Sequence, residues 1–278
     1  MNPVATGSVS EALTAAIDAL AAAGVQTPRL DAEMLLSEAT GLDRAQLAAG
    51  PEGAVEPAAA RSFGQMIRRR IRREPAAYIL GRRGFRGIEL AVDSRVLIPR
   101  PETELLVEVA LELRPASVLD VGTGSGAVAL AAADELPEAH VVATDTSLEA
   151  LAVAQANARR LGLGDRVELV YGSVPAEPAF DLVLANLPYV SEGEIQGLEP
   201  EIAEYEPREA LVAGPTGLEA IEAVLGELGL LPRRPAAVAF EVGLGQAPTV
   251  AELVRRAGWG EVELRPDLAG MDRVVLGR

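Results

Sequence analysis

Cysteine and lysine are both missing from the 278 residues, and histidine occurs once, at His140. Without thiols there are no disulfides or thiolate metal ligands, and one imidazole makes neither a histidine metal cluster nor a serine triad. The missing lysine removes the phosphate loops of kinases and ATPases, which need that side chain on the phosphates. Aromatic residues are only 3%, so few side chains are on hand to stack on bases, and a net charge of −16 argues against broad nucleic-acid affinity. No run reaches the roughly 18 to 20 apolar residues of a membrane span. Met1–Ala22 lacks a basic start and is interrupted by Glu11 and Asp18, unlike a signal peptide. The expectation is a cytoplasmic protein with no metal, no membrane association and no stable nucleic-acid binding. Against these absences, 49% hydrophobic residues are enough for a core in one or two domains.

From Ser8 to about Arg73 apolar positions such as Leu13, Ile17 and Leu20 recur at helical spacing, with breaks at Gly24, Pro28, Gly41 and Pro51. A small helical bundle is expected. Its last helix carries Arg61, Arg68, Arg69, Arg70, Arg72 and Arg73, either a solvated face or a contact surface for an acidic or RNA-bearing partner. Ala77 to Leu97 reads as a β-hairpin linker, and a helix is expected from near Glu102. Strand and helix then alternate: Ser117 to Val121, a helix from Gly126, His140 to Thr144, a helix from Leu148, Val167 to Tyr171, and Phe180 to Ala185. A helix from about Gly217, a strand at Ala237 to Glu241 and a helix from Ala247 follow. This alternation predicts a parallel, doubly wound sheet. Val262 to Leu264 and Arg273 to Leu276, with no helix between them, predict an antiparallel hairpin at its edge.

The strand Ser117-Val118-Leu119-Asp120-Val121 runs into Gly122-Thr123-Gly124-Ser125-Gly126 and then a helix. Glycines there allow a sharp turn and close approach of a ligand to the backbone. The spacing is G-x-G-x-G, where a dinucleotide site prefers G-x-G-x-x-G. Asp145 ends the next strand, where a carboxylate accepts hydrogen bonds from a ribose diol; the competing role is an N-cap, which Ser147 fills equally well. Loop spacing, absent lysine and ribose-binding acid together fit S-adenosylmethionine better than NAD. Asp120 is placed either to orient the amino-acid part of that cofactor or to cap local amides.

Asn186-Leu187-Pro188-Tyr189 follows the strand ending at Ala185, so it belongs beside the nucleotide crevice. An amide nitrogen is a poor nucleophile because its lone pair is delocalised, and it must be held in line with the methyl donor. The Asn186 side chain and the Leu187 carbonyl are expected to accept its two N–H groups, Pro188 to fix the backbone, and Tyr189 to offer a flat face. No dedicated base is needed, since the extra proton leaves to solvent. The alternative is an ordinary turn.

Over nearly its whole length the chain resembles the peptide-chain release factor glutamine methyltransferases of the PrmC/HemK type. The resemblance is carried by Arg73-Glu74-Pro75-Ala76-Ala77-Tyr78-Ile79-Leu80-Gly81, by Pro99-Arg100-Pro101-Glu102-Thr103-Glu104, and by the glycine loop and the Asn186 turn. Glu206-Pro207-Arg208-Glu209-Ala210-Leu211, Gly214-Pro215-Thr216-Gly217-Leu218 and Asp272-Arg273-Val274 continue it. It implies an α/β protein: a Rossmann-like seven-stranded class I methyltransferase domain with a small N-terminal helical bundle and a β-hairpin linker. Residues 1–75 would be a substrate-docking helical domain, 76–98 the linker and 99–278 the methyltransferase domain.

The implied reaction is methyl transfer from S-adenosylmethionine, leaving S-adenosylhomocysteine, to the side-chain N5 of the glutamine in the Gly-Gly-Gln motif of class I release factors. The implied cofactor residues are Asp120, Gly122, Thr123, Gly124, Ser125, Gly126, Asp145, Ser173 and Asn186; the substrate turn is Asn186, Leu187, Pro188 and Tyr189. Leu187 replaces a proline usual in the family, which keeps the carbonyl but gives up rigidity. Gly172-Ser173-Val174 lacks the acidic residue often found near the adenine, leaving Ser173 as the candidate. A ribosomal-protein glutamine or an rRNA adenine is the rival substrate, and a non-catalytic module with a methyltransferase fold is the rival of another class.

Overall fold

The computed structural model describes residues 7–177 and 179–278; of the stretch compared with a signal peptide, Met1–Thr6 lies outside the described residues. By its contacts the chain divides into two units, Met1–Gly81 with Pro200–Tyr205, and Arg82–Glu199 with Glu206–Arg278.

The helical unit starts where Ser8 and Glu11 cap each other's backbone N–H groups, opening α1 (Val9–Ala22). Then come α2 (Pro28–Thr40), α3 (Arg44–Ala49), α4 (Pro57–Ile71) and α5 (Ala76–Leu80). Leu20, Leu35, Leu36, Leu47, Phe63 and Ile67 close one apolar core. The expected hairpin over 77–97 is shorter: Pro75 opens α5, Tyr78 and Ile79 are buried, and Gly81 ends the helix in the left-handed region.

The row of arginines is not one basic surface. Arg70 is 5% exposed. Its Nε lies 2.6 Å from Asp31 Oδ2 and its Nη2 2.8 Å from Glu201 Oε1. Arg73 reaches Glu201 Oε2 at 2.5 Å, and Arg69 pairs with Glu74 at the same distance. Half of the row is thus paired with carboxylates of the same unit, and buried Arg70 requires it, because a guanidinium that leaves water needs a partner.

The larger unit opens with an antiparallel hairpin, β1 (Arg82–Phe85) and β2 (Ile88–Ala91). A 3₁₀ turn at Pro101–Thr103 precedes α6 (Glu104–Leu113), so the helix expected near Glu102 begins two residues later, after Pro101 has set a tighter turn. The main run is β3 (Ser117–Val121), α7 (Ala127–Glu135), β4 (His140–Asp145), α8 (Leu148–Arg160), β5 (Val167–Tyr171) and β6 (Leu182–Ala185). It continues through β7 (Val190–Ser191), α9 (Pro200–Ala203), β8 (Val212–Gly214), α10 (Glu219–Gly229), β9 (Ala237–Glu241), α11 (Ala247–Arg256), β10 (Val262–Pro266) and β11 (Asp272–Gly277). Of these, α9 belongs to the helical unit.

Seven strands form one sheet in the order β10-β11-β9-β6-β3-β4-β5. The five central-to-edge strands from β9 to β5 are parallel, and β11 turns back against β9. The expected terminal hairpin is there, with β10 outermost. β6 and β9 are buried at every residue, as apolar parallel strands covered on both faces must be. Small residues let α7 lie close on the sheet, with Ala127 through Ala133 all buried. Asn157, fully buried on α8, donates Nδ2 to the carbonyls of Ala91 and Ser125 and accepts from Ala91 N, tying the first hairpin to the glycine loop.

Candidate active site

The carboxyl ends of β3, β4 and β6 lie side by side, and the loops that leave them form part of the wall of a cavity of about 380 Å³. That is within the range of small-molecule sites. Asp120, Gly122, Thr123, Gly124, Ser125, Asp145, Ser173, Asn186, Leu187 and Pro188 line it. Gly126 and Tyr189 stand outside the lining. Exposed His140 sits at the amino end of β4, away from the glycine loop.

Both Gly122 N and Thr123 N donate to the Thr144 carbonyl at 2.9 Å, which holds the loop against β4. Gly124, at φ +56°, has open space where a Cβ would stand, whereas a Cβ on Gly126, at φ +85°, would come within 2.8 Å of Leu130 Cδ1. Gly126 therefore serves packing of α7, and Gly124 leaves room on the cavity side. Buried Asp120 accepts at Oδ2 from Thr123 Oγ1 at 2.7 Å and from Ala129 N at 3.1 Å. Asp145 accepts from Gly124 N and Ser147 N, both at 2.9 Å. The cap of α8 is Ser147, which accepts from Ala150 N at 3.2 Å.

At the turn after β6, Asn186 Nδ2 donates to Thr103 Oγ1 at 3.0 Å. Its Oδ1 accepts no hydrogen bond among the described residues, while Asn186 lines the cavity. Leu187 is 7% exposed and belongs to the apolar core that includes Val121, Ile221 and Val242. The Leu187 side chain thus anchors the turn to the core of the larger unit. Gln246 Nε2 donates to the Tyr189 carbonyl at 2.9 Å, and a Cβ on Gly217 would approach that carbonyl to 2.5 Å. Burial, reinforced by the charge of Glu241, pushes the Tyr189 phenol up to about 12, so it is a neutral face and no base at physiological pH.

The residues that sequence reasoning passed over are the supports. Thr103 and Glu206 stood in recognisable segments without a role. Glu206 accepts from Ile98 N at 3.1 Å and pairs with Arg100, joining two segments about a hundred residues apart. Gln246, Glu227 and Glu241 carried no local signal at all. Glu227 reaches the cavity from α10 and accepts from Val174 N at 3.0 Å, which brings a carboxylate beside Ser173 from an unexpected element.

Four site carboxylates are held above their ordinary range. Burial raises Asp120 to about 7 against the hydrogen bonds of Thr123 and Ala129, with Asp145 adding to the effect. Burial likewise raises Glu241 to about 7, opposed first by Thr103, and raises Asp145 and Glu206. Protons are therefore bound more tightly in the folded state, and stability present at low pH is lost as these groups ionise. Between about pH 5 and 8 the fold is expected to lose on the order of 3 kcal/mol. Urea unfolding across that window checks it, with Asp120→Asn flattening the slope; a midpoint that climbs with pH would contradict the assignment.

Among the described residues there is no group of His, Cys, Asp and Glu that could hold a metal ion, and no helix long and apolar enough to cross a membrane. The family model described as the PrmC N-terminal domain matches residues 11–81, and the one described as the methyltransferase small domain matches 101–203. The release factor glutamine methyltransferase of Nitratidesulfovibrio vulgaris is 41% identical over 289 residues, covering 100% of this chain and 98% of its own. That of Moorella thermoacetica is 43% identical over 278 residues, covering 97% and 98%. Among solved structures, the hMettl16 catalytic domain in complex with a MAT2A 3′UTR hairpin superposes with a TM-score of 0.56 at 17% identity, over 68% of this chain and 75% of that one. The last likeness speaks to the fold alone. Seven strands in class I methyltransferase order, and full-length identity near 40% to several such enzymes, place this chain in the release factor glutamine methyltransferase family of S-adenosylmethionine-dependent protein methyltransferases.

Proposed function

We propose that this protein methylates the side-chain N5 of the glutamine in the Gly-Gly-Gln motif of class I peptide chain release factors, in the cytoplasm. The observation that carries the reading is Asn186: its Nδ2 is committed to Thr103, and its Oδ1 is left without a partner on a cavity wall. An amide NH₂ presents two donors, and Asn186 Oδ1 and the Leu187 carbonyl are two acceptors at one turn.

The residues present fit the cofactor. A glycine loop with space at Gly124, a half-buried acid at Asp145 and a polar wall at Ser173 and Glu227 suit an adenosine with a ribose diol. Asp120, Gly122, Thr123, Ser125 and Gly126 would hold its amino-acid end and shape the loop. When bound, S-adenosylmethionine supplies an electrophilic methyl group. Asn186 and Leu187 hold the glutamine nitrogen by its hydrogens, which sets its direction of approach. As positive charge grows on that nitrogen, both N–H groups become stronger donors and the two acceptors bind more tightly. Pro188, on the cavity wall, packs on the flat amide, and Tyr189, behind the lining, supports the turn through its carbonyl bond to Gln246. The helical unit, matched by the PrmC N-terminal domain, is the proposed docking surface for the release factor.

Incubation with labelled S-adenosylmethionine and, separately, a release factor, a ribosomal protein and rRNA tests the assignment. Label is expected in the release factor, and in none of it once the motif glutamine is changed to alanine. Label in RNA but not in the release factor would sink the proposal.

A further inference from the structure

We infer that Thr103 and Glu241 are positioning residues for the methyl acceptor: together they fix which end of the Asn186 carboxamide faces the cavity. The inference rests on the reading of Asn186 as the acceptor for the glutamine amide. A carboxamide is nearly symmetric in shape, and turning it over replaces the acceptor Oδ1 by an NH₂ that opposes another NH₂. Nothing in Asn186 itself selects the productive face.

The selection comes from its neighbours. Thr103, 3% exposed, accepts from Asn186 Nδ2 at 3.0 Å, so its single hydroxyl proton is directed elsewhere. Glu241 stands next to Asn186 across the β9–β6 pairing, and its carboxylate interacts with the Thr103 side chain. An ionised carboxylate only accepts, so near Thr103 it draws the hydroxyl proton towards itself and leaves the Thr103 oxygen to accept from Asn186.

The fold holds these three together. Phe240 and Ala185 are partners across β9 and β6, so Glu241, the last residue of β9, and Asn186, the first after β6, come next side by side, and Thr103 ends the 3₁₀ turn. Tyr189, Glu102, Arg100 and Arg273 also bear on Glu241. Both cations have other carboxylates, since Arg100 pairs with Glu206 and Arg273 with Asp267 at 3.1 Å. Glu241 is 2% exposed and its Oε2 has no hydrogen-bond partner. An under-satisfied buried carboxylate costs stability, and orientation of the reacting turn is a function that offsets the cost.

The test uses the full-length protein with labelled S-adenosylmethionine and a release factor, and follows Thr103→Val, Thr103→Ser, Glu241→Gln and Asn186→Ala. Thr103→Val is expected to lower kcat about 30-fold with little change in cofactor Kd, whereas Thr103→Ser stays within about threefold of wild type. Glu241→Gln changes one atom, yet lets residue 241 donate to Thr103 and reverse the chain, so a loss of about tenfold is expected. Wild-type kcat is expected to fall as pH drops through about 7, where Glu241 gains its proton, and the fall is expected to be shallower in Glu241→Gln, with the remainder belonging to Asp120.

Adding Thr103→Val to Asn186→Ala is expected to cost nothing further, because the first acts through the second. Full additivity overturns the inference, as does wild-type kcat in both Thr103→Val and Glu241→Gln while Asn186→Ala is inactive. Unchanged turnover in Asn186→Ala itself removes instead the underlying reading of the amide acceptor. Should Thr103→Val fail to fold, Glu241→Gln alone and combined with Asn186→Ala makes the same comparison.

Discussion

Asn186→Ala is expected to lower kcat by about 10³-fold while leaving S-adenosylmethionine affinity within severalfold of wild type. The truncation removes the unpartnered Oδ1 on the cavity wall but leaves Gly122, Gly124 and Asp145 untouched. It also leaves the turn in place: Leu187 stays in the apolar core and Gln246 still holds the Tyr189 carbonyl at 2.9 Å. An acceptor that strengthens as charge develops on the nitrogen acts on the transition state, so the loss is expected in kcat with the release factor KM little moved. Single-turnover transfer and calorimetry check this. Transfer at the wild-type rate would remove Asn186 from the chemistry, and a large loss of cofactor affinity would reassign it to the cofactor.

The largest effect on stability is expected from Arg70→Ala in the helical unit. The Arg70 side chain is 6% exposed and bridges Asp31, 39 residues before it, and Glu201, 131 residues after it. Truncation strands the Asp31 carboxylate, 7% exposed at its side chain, with Thr27 Oγ1 as its remaining donor at 3.0 Å. Leaving a buried charge uncompensated costs about 3–5 kcal/mol. Glu201 keeps Arg73, so the damage is expected to centre on α2 and α4. Denaturation monitored by circular dichroism measures the loss, and Arg70→Met combined with Asp31→Leu is expected to recover part of it. An unchanged midpoint in Arg70→Ala would show that the buried pair contributes nothing to the fold.

How far a residue's role is visible beforehand depends on the range over which its partners lie. The glycine loop and the acid at Asp145 announce themselves within one strand-turn-helix passage, because a backbone that turns sharply needs glycine at the turn itself. The Asn186 turn is legible for the same reason, standing at the end of an apolar strand. Arg70 looks like its neighbours on α4; only packing of α2 and the return of Pro200–Tyr205 separate it from the exposed Arg68 and Arg72. Likewise Thr103 meets Asn186 across 83 residues, a pairing with no periodicity to reveal it.

Periodicity, turn chemistry and the missing residue types determined the strand-helix alternation, the glycine turn after β3, the Asn186 turn after β6 and the exclusion of thiol and lysine-dependent chemistry, since each depends on short stretches of sequence. The tertiary structure decided the burial of Arg70 and the pairing of Arg69 and Arg73, the anchoring of Leu187, the approach of Glu227 to Ser173 and the meeting of Asn186 with Thr103. Those depend on distant polar groups leaving water together, and a desolvated charge or amide takes its partner from whatever the fold brings within about 3 Å.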